Sequence, residues 1–304
     1  MPHEAKTAIA VPCYNRPHYL QQCLNALETA PQVQAGWPVY LFADGGPGAT
    51  QDENQALFEA AAIPNKVVVS ADENLGCGRH LIHIRDLVFD KWHFDRLMLI
   101  EEDTVVAHSA ITVLENALTW CQQHYDNVEV VSSVIRCFIS QAKKPEYAGD
   151  VFYSNTHWTN YLMTRTAWEA IRAPLHEYRR LCLMDRPYGS RDHNLCRAYM
   201  HKMTRGVSRP LGERYLPTGP IDWDPVTMFS TMNFPSGQDA CTAASLFTAG
   251  LAKASLRVNR VLYIGAVGIH SRAHMFRGSG YDRVTLDVFP EDDARMEFRP
   301  ALTE

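Results

Sequence analysis

Short apolar runs alternate with amphipathic stretches through residues 1–125, and this alternation constrains the fold more than any other feature of the chain. The apolar runs lie at 7–12, 39–42, 66–69 and 97–100, and each ends in a turn-rich segment. Stretches with helical spacing follow at 17–29, 52–62, 77–89 and 109–124. Strand, turn and helix in that order make β-α units, which set parallel strands side by side and cover both faces of the sheet with helices. The expected class is therefore α/β, with a mixed, mostly parallel central sheet flanked by helices. At 304 residues the chain is long enough for one elaborated domain of this kind. Ligands of such sheets collect beyond the carboxyl ends of the strands, where loops and helix N-termini converge.

From about residue 126 the pattern is irregular. Strands are expected at 128–133 and 160–164, and helices at 165–171 and about 191–203. A Pro- and Gly-rich stretch follows at 209–225, then an apolar run at 258–269. There is no internal repeat and no low-complexity tract, so this half is expected to complete the sheet instead of forming a second domain.

The fourth apolar run passes directly into Glu101, Glu102 and Asp103. Three successive carboxylates at a partly desolvated strand end repel one another, and a cation relieves that cost. Mg²⁺ and Mn²⁺ favour oxygen ligands, and Mg²⁺ is typically held by one or two carboxylates together with substrate phosphates. The competing reading is an acidic turn preceding the helix that begins near Ser109, where negative charge is also welcome.

The segment from Ala8 through Pro12, Cys13, Tyr14, Asn15, Arg16 and Pro17 to Leu24 resembles the opening of GT-A fold glycosyltransferases of the family-2-like group. Asp44, Gly45 and Gly46 stand where that family has an Asp-rich turn, and Asn74, Leu75 and Gly76 resemble its N-x-G segment. Glu101, Glu102 and Asp103 take the place of its metal motif, in the E-D-D form of N-acetylglucosaminyltransferase-like members. The resemblance covers about the first 110 residues, and it implies a GT-A (Rossmann-like, nucleotide-diphospho-sugar transferase) fold. Residues 1–125 would form the donor-binding half, and 126–304 the acceptor-binding half and closing segment of the same domain. Pro12, Tyr14 and Asp44 are then donor contacts, with Asn74 and Gly76 beside them, and Asp44 can accept from a base N–H. Arg16 and Arg79 can pair with phosphate or serve as surface ion-pair partners. Asp103 is the implied metal ligand for Mn²⁺ or Mg²⁺, with Glu101 and Glu102 beside the metal or at the ribose.

Weaker echoes follow in the second half. Residues 189–198 resemble the family's G-x-E-D-x-x-L-x-x-R-A motif, with Arg191 where the family has Glu. This implies Asp192 as the base that removes the acceptor's hydroxyl proton in an inverting reaction. Asp192 reads equally as a helix N-cap, and Asp185 and Asp239 are the competing bases. The run from Arg257 to Ile264 and on to His270 resembles the ending of bacterial sugar transferases, which implies His270 as a further metal ligand, with His274 behind it. Arg272, Arg277 and two glycines in 271–281 suit a loop closing over phosphates. Residues 157–161 and 220–224 combine aromatic rings with carboxylates or amides and are candidate acceptor walls.

The function expected is metal-dependent transfer of a hexosyl or pentosyl group from a nucleotide diphosphate donor, UDP-linked before GDP-linked, to a glycan or other hydroxyl-bearing acceptor. Two alternatives stand beside it: a nucleotidyltransferase that makes sugar nucleotides, and a non-catalytic nucleotide- or carbohydrate-binding module. The first lacks its Gly-rich basic loop, since that position holds Cys13 to Pro17. A net charge of -5 supplies no general basic field for nucleic acid. The eight cysteines include no C-x-x-C pair and read as reduced packing residues. With no apolar run near a bilayer's span and no apolar leader, the expected location is cytoplasmic, without stable membrane insertion.

Overall fold

The computed structural model of the chain describes residues 6–135, 137, 139–140, 142–154, 158–184, 188–208, 214–216, 235–268, 272–286 and 296–301. Strand β1 (Thr7–Cys13) leads into α1 (Pro17–Leu27) and the short α2 (Pro31–Gln34). Next come β2 (Val39–Ala43), α3 (Gln51–Ala60), β3 (Lys66–Ser70), α4 (Gly76–Arg85) and β4 (Arg96–Ile100). A tight turn separates β4 from β5 (Thr104–Val106), followed by α5 (Ala110–His124), β6 (Val128–Ser133), β7 (Asp150–Tyr153), β8 (Asn160–Thr164) and α6 (Arg165–Tyr178). The remainder comprises α7 (His193–Thr204), α8 (Gln238–Thr248), β9 (Ala252–Leu256), β10 (Val261–Tyr263), α9 (Ala273–Gly278) and β11 (Arg299–Pro300).

One nine-stranded sheet runs in the order β11-β7-β9-β6-β8-β4-β1-β2-β3. The strands β3, β2, β1 and β4 are parallel, and so are the pairs β6 with β9 and β7 with β11. Strand β8 enters antiparallel to both β4 and β6, and β7 is antiparallel to β9. The sheet is thus mixed and mostly parallel, as the alternation predicts. A separate antiparallel ribbon pairs β10 with β5, placing Tyr263 opposite Thr104. That ribbon returns the C-terminal part of the chain to the turn carrying the three carboxylates.

The inner strands are apolar throughout because both faces are covered. In β4, Met98 and Ile100 join the core packed on one face, while Leu97 and Leu99 join the core on the other. Ile9 and Val11 of β1 lie on the first face, and Ala8 and Ala10 on the second. Burying each large aliphatic side chain contributes about 1.5–3 kcal/mol. Helix α1 starts at a proline, which costs nothing at a first-turn position, and buries Leu20, Cys23, Leu24 and Leu27 at helical spacing. Among the described residues no helix is long and apolar enough to cross a membrane.

The structure departs from the expectation in the second half. Strands β7 and β9 and helix α8 have no counterpart in it, and the run expected at 258–269 is a three-residue strand followed by irregular backbone. Helix α8 is buried on nearly every side, so it lacks the polar stripe that marks a half-exposed helix.

Candidate active site

The carboxylate triplet sits at the carboxyl end of β4, in a turn closed by Thr104, whose amide and hydroxyl donate to the Glu101 carbonyl at 3.2 and 2.6 Å. Glu102 and Asp103 are buried, at 4% and 3% exposed. Both oxygens of Glu102 are used: Oε2 accepts from the Tyr14 amide at 3.0 Å, and Oε1 from Arg16 Nε at 2.7 Å. Asp103 Oδ2 accepts from Arg16 Nη1 at 2.7 Å. Its other oxygen, Oδ1, is buried with no hydrogen-bond partner among the described residues. Burial pushes both carboxyls above their ordinary range, and the Arg16 guanidinium opposes that rise.

The segment after β10 roofs this pair with backbone alone. The Ile264 amide donates to the Asp103 carbonyl at 2.9 Å, and the Val267 amide donates to Tyr19 Oη at 3.1 Å. A Cβ added to Gly265 would lie 2.5 Å from Asp103 Oδ2, and one added to Gly268 would lie 3.0 Å from Arg16 Nη1. No side chain fits at Gly265 without moving the carboxylate.

Asp239, in the first turn of α8, shares the electrostatic field of the triplet. Burial pushes Glu101 well above the carboxylate range, and the charges of Asp103 and Asp239 push it further. Asp239 is itself raised by burial, with Arg85 and Lys253 opposing. Both carboxylates reach solvent, yet they lie in a recess where surrounding protein displaces much of their hydration. Cys77, in the first turn of α4, is exposed at the same recess and feels Glu101, Asp239 and Asp103 in turn.

Behind Asp239 stands a fully buried guanidinium. Arg85 donates to Tyr161 Oη from Nε (3.0 Å) and Nη2 (2.6 Å), and to Thr242 Oγ1 (3.3 Å). With the Gln238 amide oriented to satisfy both of its ends, it accepts from Arg85 Nη1 at 2.7 Å and donates to Asp239 Oδ1 at 3.1 Å. Arg85, Gln238 and Cys77 are residues of this recess that sequence reasoning does not single out, whereas Tyr161 belongs to the expected acceptor wall. Arg85 ends a helix that also carries Arg79, His80 and His83, so its charge alone does not mark it.

The residues expected to contact a donor form a neighbouring cluster. Asp44 is buried, and it accepts from the amides of Gly45 (3.0 Å), Leu75 (2.8 Å) and Gly76 (3.0 Å). This ties the end of β2 to the start of α4. Gly45 and Gly46 permit the approach: a Cβ at Gly45 would lie 2.1 Å from the Ala71 carbonyl oxygen, and one at Gly46 2.7 Å from the Asn74 amide nitrogen. Pro12 lies in β1, opposite Phe42 of β2. Tyr14 donates from its hydroxyl to the Pro47 carbonyl at 2.5 Å. Arg79 turns onto its own helix start, donating to the carbonyls of Leu75 and Asn74 at 2.7 Å each.

Asp192 lies apart from these carboxylates in its contacts. It is the N-cap of α7, exposed, and its Oδ1 accepts from the amides of Asn194 and Leu195 at 3.0 Å each. Its charge is felt by Cys182 and Cys196. Trp158 and Tyr161 of the expected acceptor wall are buried and packed edge to face, with centroids 5.5 Å apart. His270, Asp185, His157 and residues 220–224 lie outside the described residues. His274 is in α9, a helix that buries no residue.

The donor set suits a hard divalent ion held by few protein atoms. Among the described residues no three His, Cys, Asp or Glu side chains are arranged as a cage. The unpartnered Asp103 Oδ1 nevertheless offers one oxygen that the guanidinium pairing does not use, and such ions complete their shell with phosphate oxygens and water.

No protein-family model matches this chain, and no curated protein sequence matches it significantly. Among solved structures it is similar to residues 1–349 of TarS from S. aureus, with 14% identity and a TM-score of 0.39 over 54% of this chain and 48% of that one. It is also similar to the mannosyltransferase PcManGT from Pyrobaculum calidifontis in complex with GDP-Man and Mn²⁺, with 15% identity and a TM-score of 0.43 over 71% and 55%. The chain thus spans about half the length of these proteins. At that level of likeness, activity and ligands do not transfer from one protein to the other.

Proposed function

We propose that this chain is a metal-dependent glycosyltransferase, moving a hexosyl or pentosyl group from a nucleotide diphosphate donor, UDP-linked before GDP-linked, to an acceptor hydroxyl with inversion. The observation that carries this reading is the buried Asp103 at the tip of β4, with one oxygen unpartnered, in a recess shared with Asp239 and roofed by glycine backbone. Residues 1–125 then hold the donor and the remainder the acceptor.

Asp103 Oδ1 would hold Mn²⁺ or Mg²⁺, and the bound ion supplies positive charge to the leaving diphosphate. Arg16 offers a planar guanidinium that matches phosphate geometry beside it. Asp239 accepts the acceptor's hydroxyl proton as the new glycosidic bond forms, in the role first expected of Asp192. Its raised proton affinity makes it a stronger base than an ordinary aspartate. The Arg85–Gln238 relay fixes one of its oxygens, which leaves the other for the acceptor. The glycine roof keeps water from the Asp103 side of the reacting face.

Titration calorimetry with UDP and GDP, each with and without Mn²⁺, tests the reading. Asp103→Asn is expected to weaken Mn²⁺-dependent binding of the preferred diphosphate at least about tenfold. Asp239→Asn is expected to keep that binding and lower turnover by about 10²–10⁴. Undiminished Mn²⁺-dependent binding in Asp103→Asn would overturn the proposal.

A further inference from the structure

The face of the acidic tip already carries a cation of the protein's own. One guanidinium spans two carboxylates, with Nε on Glu102 Oε1 and Nη1 on Asp103 Oδ2, both at 2.7 Å. It lies between the Tyr19 ring, 5.7 Å from its carbon to the centroid, and the backbone of Gly268. The carboxylates are 6% and 5% exposed at their side chains, whereas Arg16 is 26% exposed and so keeps an open side toward solvent.

We propose that Arg16 is a resident counter-cation that must leave Asp103 before a divalent ion binds there tightly, and that a nucleoside diphosphate is what draws it off. The inference rests on the function proposed above. A divalent ion on Asp103 would sit within a few ångströms of a guanidinium held on the same carboxylate, and two cations at that range repel strongly in a recess of low dielectric. The guanidinium, for its part, pairs as well with a diphosphate as with two carboxylates, because both present paired oxygens to its fork. When diphosphate arrives, Arg16 exchanges carboxylate oxygens for phosphate oxygens. Asp103 then has both of its oxygens for the ion. At 265 and 268 the roof is backbone only, and a side chain at either position would press on Asp103 Oδ2 or Arg16 Nη1.

The consequence is positive coupling between ion and nucleotide, and coupling of this kind is reciprocal: each ligand tightens the other by the same factor. An ion alone binds poorly because it competes with Arg16. A loaded site therefore forms only when the leaving group is present.

Electron paramagnetic resonance of free Mn²⁺ measures this directly. Wild type, Arg16→Gln and Arg16→Lys are titrated with Mn²⁺ alone and with saturating UDP or GDP, and thermal unfolding confirms that each variant is folded. Wild type is expected to bind Mn²⁺ alone weakly and at least about tenfold more tightly with the preferred nucleotide. Arg16→Gln is expected to bind Mn²⁺ alone about tenfold more tightly than wild type, with the nucleotide effect much reduced. Arg16→Lys, a point charge that cannot span both carboxylates, is expected to lie between them and decides the matter should Arg16→Gln not fold. If Mn²⁺ alone binds the variants no more tightly than wild type while nucleotide still promotes Mn²⁺ binding, the role of Arg16 is refuted and the proposed function stands. If Mn²⁺ fails to bind wild type with either nucleotide, both fall.

Discussion

Gly265→Ala tests the roof over the acidic tip with a single methyl group. The new Cβ would lie 2.5 Å from Asp103 Oδ2, 2.6 Å from Tyr263 Oη and 2.7 Å from Tyr263 Cζ. Ordinary contact needs about 3.4 Å, so something must move by about 0.9 Å. The backbone resists, because the Ile264 amide is bonded to the Asp103 carbonyl at 2.9 Å. The tyrosine resists as well, since its ring packs on Phe276 and Tyr281 with centroids 5.9 and 5.1 Å away. The Asp103 carboxylate is left to yield, which stretches its 2.7 Å bond to Arg16 beyond hydrogen-bonding range. Overpacking costs about 1–3 kcal/mol. The lost ion pair adds about 1 kcal/mol, discounted because Arg16 is partly exposed. For a chain of 304 residues the total of about 2–4 kcal/mol lowers Tm by about 3–6 °C. Gly265 does not occupy the left-handed region, so the effect is steric and not conformational. Gly278→Ala is the matched control: nothing lies within 4 Å of its added Cβ. Thermal unfolding of both variants, with Gly265→Ala repeated in the Arg16→Gln background, isolates the pair's share by a double-mutant cycle. A Gly265→Ala protein that melts with the Gly278→Ala control would refute the reasoning.

Three further outcomes are expected. His80 is buried and held neutral, its pKa lowered by that burial from 6.5 to about 4 against the opposing charge of Asp44. The unfolded chain takes up its proton below 6.5, so stability is full above that pH and about 3 kcal/mol is lost by pH 4. Urea unfolding of His80→Leu at pH 7 and pH 4.5 should show a smaller acid loss than wild type, and equal losses would contradict this. Asp192→Ala should cost about 1 kcal/mol in unfolding experiments as a lost N-cap while leaving turnover near wild type; a collapse of turnover would restore Asp192 as the base. Arg85→Met should destabilise the fold by about 2 kcal/mol by stranding the Tyr161 hydroxyl. It should also move the acid limb of the pH–rate profile upward, because Arg85 opposes the rise in the Asp239 pKa; an unmoved limb would argue against Asp239.

The first four strands and their helices are legible because buried β-branched and aliphatic runs and half-exposed helices leave opposite periodicities. Strand β4 and its acidic tip are the clearest case, where an apolar run gives way to three carboxylates without a spacer. Strands β5 and β10 are three residues each, too short to establish a period, although they set the roof. Helix α8 is built largely from Ala, Ser, Thr and Cys and buried on nearly every side, so the element carrying Asp239 lacks the amphipathic mark that identifies α1. Asp192 illustrates a different ambiguity: an Asp ahead of a helix satisfies a motif and a cap equally, and the structure gives it the cap's hydrogen bonds. The partnership of Arg16 with the acidic turn joins positions 86 and 87 apart in the chain, which spacing alone does not predict.

The three amide bonds to Asp44 reach beyond local stability. They fasten the turn after β2 to the start of α4 before any ligand arrives, so this wall of the cleft is set in advance. A guest meeting such a wall forfeits little freedom in ordering it, and most of its interaction energy remains available as affinity. Rigidity also sharpens choice, since a brace that does not give cannot adapt to a base of the wrong outline. Under the proposed function, selectivity for one nucleotide over another should therefore loosen when the brace is cut, even by an amide in place of that one carboxylate.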